Sequence, residues 1–468
     1  MSGPLIVDLA LPSALESRIP ELEVTLLNVA NLIGADLRLR FVAEASELRL
    51  AHQGRECRLR PPDLTAWSTA GEMSSACWRE VAFVEPAASS ARCPGEDLGP
   101  DLLGLMYYLF RDLAEIHQEA ATAQVRYDIH ASPFRDICAT NYLDRLLQQV
   151  RSDLGIQTPP PKGVLLTHDL DFLSVEPVSD PLGSARALAR SVAGLRLRMA
   201  VHHGRQLTYA LWRSILAPTS VFERFEFLDW AEAERQRGFR SVLFVFAPDR
   251  RRSFPQDASY DFGFRNRRAP ISTLRSELRG LMRDGFWIGL HLSRSSDYEH
   301  AEMRRELRSL SDALGSPIRA TRNHWLWMRY SDWYERLAEL DVDYDFNAAA
   351  IGFTKGTAFP YFNRTGRTVT FPTTYMDDIV LKTKNLGLDE VGAIALLKGQ
   401  LDAIDETGGC LALSFHPGED GPPGTHRIPG TKLDLYGKVL DELSRRGLKA
   451  YLPDEAKREF LSHRIVRN

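Results

Sequence analysis

No apolar run in this 468-residue chain approaches the roughly 20 residues that a membrane-spanning helix needs. The opening stretch, MSGPLIVDLALPSALESRIPE, lacks the basic segment of a secretory signal, and acids and prolines interrupt it early. Cysteine is sparse. Its five residues, Cys57, Cys77, Cys93, Cys138 and Cys410, are odd in number, scattered and without CxxC spacing. That pattern fits the reduced thiols of a cytosol better than a disulfide framework. An excess of one charge is missing too: a net charge of −4 and a pI near 6.3 argue against nucleic acid as a partner. What remains, with 44% hydrophobic and 26% charged residues, is an ordinary globular chain long enough for two or three domains. The expectation is a soluble, cytoplasmic protein.

The first third reads as a small α+β domain over 1–157. Residues 37–50 hold two alternating runs compatible with a hairpin, and 80–83 suggest another strand. From 101 to 116 leucines recur at helical spacing, and 139–154 form a second amphipathic helix stopped by Gly155. His117 and His130 have no second ligand at metal spacing, so this part carries no catalytic constellation. Thr158 and the three prolines after it form a stiff linker, which places a boundary there.

Beyond the linker, over 158–468, strands alternate with helices, the pattern of a parallel α/β sheet or barrel. The pivotal stretch is 164–171, VLLTHDLD, in which a buried strand runs straight into His168, Asp169 and Asp171. Carboxylates at the carboxyl end of a hydrophobic strand are costly to bury unless they bind a metal or move a proton. The same arrangement returns at WIGL before His291 and at LALSF before His416. In a β/α barrel those strand ends converge on one face.

With these motifs together, residues 163–452 resemble the NodB-type polysaccharide deacetylases, the metal-dependent carbohydrate esterases built on a distorted (β/α) barrel. They resemble most the branch whose first motif reads THDxD and which carries an N-terminal accessory domain. The matching pieces are Thr167 to Asp171, then Gly289-Leu290-His291, then Arg322-Asn323-His324-Trp325. Tyr344-Asp345, the GFxxGT stretch 352–357, and Leu413-Ser414-Phe415-His416 complete the set. The resemblance implies Asp169 as general base, Arg322 as the residue holding it ionised, and His416 as general acid. It implies Asp171 and His291 as ligands of one divalent ion, zinc first, and Leu413 lining an acyl pocket. Trp325 and Asp345 join the substrate-contacting residues; Asp345 either orients His416 or caps a strand end.

Two departures shape the expectations. Ser295 stands where the family has a second histidine, so the third ligand passes to His324 or to His300, with His324 preferred. Thr354 replaces an arginine usual in the branch. Between 181 and 222, six arginines (Arg186, Arg190, Arg196, Arg198, Arg205, Arg213) occur without an acid. This basic insertion reads either as a contact for a membrane surface or anionic substrate, or as a solvated helix face. The implied activity is hydrolytic removal of an N-acyl group, acetyl first, from an amino sugar that is nucleotide-linked, lipid-linked or part of an oligosaccharide. The alternatives are a deformylase or other amide hydrolase on the same barrel, and a non-catalytic carbohydrate-binding protein.

Overall fold

The structure, a computed structural model, describes residues 5–42, 48–59, 102–113, 140–171, 225–248, 272–294, 299–348, 354–381, 386–417 and 431–466. Shorter described pieces lie at 115–116, 119, 173, 181–194, 200–201, 204, 207–208, 221–222, 257, 261–263 and 265–266. The expected strand at 80–83, His117, His130, Ser295 and most of the insertion after 194 lie outside them.

Near the N-terminus, strand β1 (Ile6–Pro12) buries Val7, Leu9 and Leu11 on one face, the alternation of a half-buried strand. Helix Ile19–Ile33 crosses over it and ends at Gly34 in the left-handed region that glycine enters freely. The chain then returns as β2 (Asp36–Val42), parallel to β1. On the other side of β1 lies β3 (Leu48–His52), antiparallel, followed by its hairpin partner β4 (Arg55–Leu59). The hairpin expected within 37–50 is therefore corrected: β2 and β3 flank β1 and do not pair with each other. Ile465–Val466, almost at the end of the chain, adds a parallel strand beside β2. Helices Leu102–Phe110 and Tyr142–Asp153 fall where the leucine spacing placed them.

The second sheet has nine strands. They are β5 (Lys162–Asp169), β6 (Ser241–Val245), β7 (Trp287–Leu292), β8 (Ala320–Asn323), β9 (Tyr344–Asp345), β10 (Tyr361–Phe362), β11 (Val369–Thr370), β12 (Thr373–Met376) and β13 (Gly409–Phe415). Their order is β10-β11-β9-β8-β7-β6-β5-β13-β12, parallel except for the β10–β11 pair. Strand β11, next to the edge strand β10, and β12, the opposite edge, are successive pieces of one segment, 369–376. Phe371 N and Thr373 N donate to Asp345 O and Ala348 O at 2.9 and 2.7 Å. Thr373, Tyr375 and Met376 pair with β13. One segment thus touches both flanks of the sheet, which is curled into a barrel-like form.

Alternation sorts the strand residues into two layers. Leu165, Val242, Phe244, Ala320, Phe346, Phe371, Cys410 and Ala412 share the inner cluster. Val164, Leu166, Leu411, Leu413 and Phe415 pack outward with Trp230, Leu397, Leu401 and Val439 of the surrounding helices. Gly289 is required on the inner side: a Cβ there would meet the Phe244 ring at 2.6 Å. That ring is the floor on which the site's arginine rests.

Candidate active site

On β5, period-two alternation turns Thr167 and Asp169 inward and His168 outward. His168 leaves the site altogether: its Nε2 lies 2.5 Å from Glu234 Oε1, among Trp230 and Tyr436. Facing the inward pair is Arg322 from β8, fully buried and stacked over Phe244 at 4.6 Å. Its Nη1 donates to Asp169 Oδ1 at 2.8 Å, Thr167 Oγ1 at 2.9 Å and Ser414 Oγ at 2.8 Å. Nη2 and Nε reach Thr373 Oγ1 at 3.2 Å and Phe346 O at 3.3 Å. A guanidinium so placed fixes Asp169 through Oδ1, and Oδ2 faces His416.

Two residues on, Asp171 meets two imidazoles. His291 at the end of β7 brings Nε2 to 3.0 Å from Asp171 Oδ1, and His324 just after β8 brings Nε2 to 3.8 Å from Oδ2. In each ring the other nitrogen is engaged. Nδ1 of His291 donates to Arg322 O at 2.9 Å, and Nδ1 of His324 to Asp257 Oδ1 at 3.0 Å. Those partners assign the tautomer that leaves both Nε2 lone pairs pointing at Asp171. One ligand atom from each of the three residues lies within 4.8 Å of the others, and Asp171 Oδ1 is buried yet accepts no hydrogen bond among the described residues. Carboxylate, imidazole, imidazole is a donor set that suits zinc or a similar divalent ion. Protons on the imidazoles can take a cation's part: burial would raise the Asp171 carboxyl, but a hydrogen bond and charge from protonated His291, with the charges of His324 and His416, hold it well below the usual carboxylate range.

Across from Asp171, His416 follows β13 and sets Nε2 3.5 Å from Asp169 Oδ2. Its Nδ1 donates to Asp377 Oδ1 at 2.5 Å, and its backbone N to Asp377 Oδ2 at 3.1 Å. Lys432 Nζ stands 2.9 Å from Asp377 Oδ2. Asp377, Asp378 and His416 also come within ligand range of one another. However, His416 spends Nδ1 on a hydrogen bond, and an ammonium already neutralises the acids, so a cation has less to gain here. Burial would lower the His416 pKa, but Asp377, Asp378 and Asp169 lift it well above the ordinary histidine value. A histidine kept protonated beside a carboxylate base is an acid ready to donate.

Some expected residues lie elsewhere. Leu413, fully buried, faces the outer layer, because β13 alternation points Ser414 inward instead; it lines no acyl pocket. Asp345 is likewise buried on the outer side, accepting from Asn347 Nδ2 at 2.6 Å and Trp333 Nε1 at 3.2 Å. It does not orient His416, whose Nδ1 goes to Asp377; desolvation pushes its pKa up to about 7. His300 begins helix His300–Leu314 and pairs with Glu339 at 3.4 Å, apart from the Asp171 cluster. Trp325 sits beside His324, ring centroids 5.4 Å apart, and is 48% exposed. It and Leu326 both adopt positive φ, a strained turn that presents the indole at the site's rim. In the GFxxGT stretch, Lys355 is buried against Asp112 at 2.7 Å and Thr357 donates to Asp144 at 2.5 Å. These contacts tie the stretch to the N-terminal helices.

Residue reasoning missed Asp257, Asp377 and Lys432. Asp377 had a signal, since it follows β12 at once much as Asp169 closes β5, but that strand is the short, polar TTYM. Asp257 had none.

No family model matches the chain, and no curated protein does. Solved structures with some likeness include a Mycobacterium smegmatis protein described as a polysaccharide deacetylase. It is 16% identical over 63% of this chain and 97% of its own, with a TM-score of 0.32. A family 4 carbohydrate esterase from Streptomyces lividans, in complex with acetate, is 12% identical over 62% and 92%, TM-score 0.28. An allantoinase is 14% identical over 65% and 95%, TM-score 0.37. Among the described residues, no helix is long and apolar enough to cross a membrane.

Proposed function

We propose that this chain is a metal-dependent amide hydrolase of the NodB deacetylase kind, removing an N-acetyl group from an amino sugar or glycoconjugate precursor. One observation carries the reading. An arginine-held aspartate lies 3.5 Å from a carboxylate-backed histidine, and an Asp-His-His donor set begins two residues further along the same segment. A pure binding module has no need of base, acid and metal ligands together.

Asp171, His291 and His324 would hold the ion. When bound, zinc or a similar cation would polarise the acyl oxygen and make water a better nucleophile near neutral pH. Asp169 takes the proton of the attacking water through Oδ2, while Arg322 keeps its other oxygen occupied. His416 stands on the far side of Asp169 and gives its Nε2 proton to the departing amine, so the amine leaves as a neutral group. Trp325 at the rim offers an aromatic face for a sugar ring.

The test is release of acetate and free amine by the zinc-loaded protein from N-acetylated nucleotide sugars and oligosaccharides. Turnover on any of these, abolished by chelation and restored by zinc, supports the reading. Binding of the same sugars without turnover would move the chain to a carbohydrate-binding role. Turnover confined to formamides or small ring amides would keep the hydrolase and overturn the substrate.

A further inference from the structure

Lys432 belongs to the helix Thr431–Arg445, yet it is only 5% exposed. Its ammonium lies 2.9 Å from Asp377 Oδ2 and 3.5 Å from Asp378 Oδ1. Asp377 is fully buried and uses Oδ1 for His416 Nδ1 and Oδ2 for both Lys432 and the His416 backbone N. Burying an ammonium costs several kcal/mol unless it is well paired. A lysine kept in that position therefore acts on the pair of acids it touches.

We infer that Lys432 is a positioning residue for the proton-donating histidine: it fixes Asp377 against His416 and limits how tightly that histidine keeps its proton. The inference rests on reading His416 as the acid. Without a cation, two carboxylates, Asp377 and Asp378, face the imidazole from the segment after β12. Asp169 faces it from β5, its own charge largely answered by Arg322. Those acids together would trap the proton, and a trapped proton is useless to a leaving amine. Lys432 answers part of the charge without touching His416, so the histidine remains protonated near neutral pH and can still let go.

The experiment is a titration of His416 by long-range proton–nitrogen NMR on uniformly 15N-labelled, deuterated full-length protein, with the signal assigned by loss in His416→Gln. It needs no substrate, so its outcome is separate from whether the chain hydrolyses anything. Lys432→Met should raise the His416 pKa by about one unit, the scale expected of one nearby charge. Lys432→Arg, which keeps the charge, should stay within a few tenths of wild type and shows that the position tolerates change. An unchanged or lowered pKa in folded Lys432→Met would overturn the inference, leaving Lys432 as a structural anchor.

Discussion

Asp169→Asn should lower turnover about a thousandfold while leaving metal content unchanged, the magnitude usual for losing a general base. An amide keeps the shape of the carboxylate, and its oxygen can still accept from Arg322 Nη1, but it cannot take a proton from water. Metal should stay because Asp169 is not among the three converging donors. The substitution carries a second cost. Asp169 is the carboxylate that pairs with the fully buried Arg322 at 2.8 Å, and a buried charge left without its partner destabilises by about 3–5 kcal/mol. The hydroxyls of Thr167, Ser414 and Thr373 and the ring of Phe244 soften that loss. Assays should therefore run well below the variant's melting temperature, with metal content measured on the same sample. Turnover within a few-fold of wild type would reject Asp169 as the base.

The second large effect concerns His324. His324→Ala should weaken zinc binding at least about a hundredfold, because even residues that merely support a ligand cost 10- to 100-fold when removed. Asp257→Ala should fall within that lesser range, since it fixes the His324 ring through Nδ1 at 3.0 Å. Competition with a zinc-binding dye measures both. Unchanged affinity in His324→Ala would show that another group completes the donor set; His300, occupied with Glu339, is not placed to do so.

The inward half of the site was legible because its residues obey a rule visible in one dimension. An apolar strand followed at once by an acid or histidine marks Asp169, His291 and His416, and parallel pairing of β5, β7, β8 and β13 within one sheet gathers their ends. Side-chain direction was less legible. Leu413 and Asp345 lie in matching motifs, yet each is one residue off the inward register, and a one-residue step moves a strand residue to the opposite face. The supporting carboxylates were hidden for a different reason. Asp377 and Asp257 act across long sequence separations, 39 residues to His416 and 67 to His324, where local periodicity carries no information. In the N-terminal region, adjacent alternating runs suggested a hairpin. The helix crossover from β1 instead laid β2 parallel beside it, which left β3 to pair on the far side.

Asp171, His291 and His324 should form one cation site beside Asp169 and His416. The most direct test is anomalous diffraction at the zinc edge from crystals of the full-length protein incubated with zinc. A single strong peak bonded to Asp171 and to Nε2 of both histidines, absent in Asp171→Ala, is the expected result. No peak there, or a peak among Asp377, Asp378 and His416 instead, would contradict it.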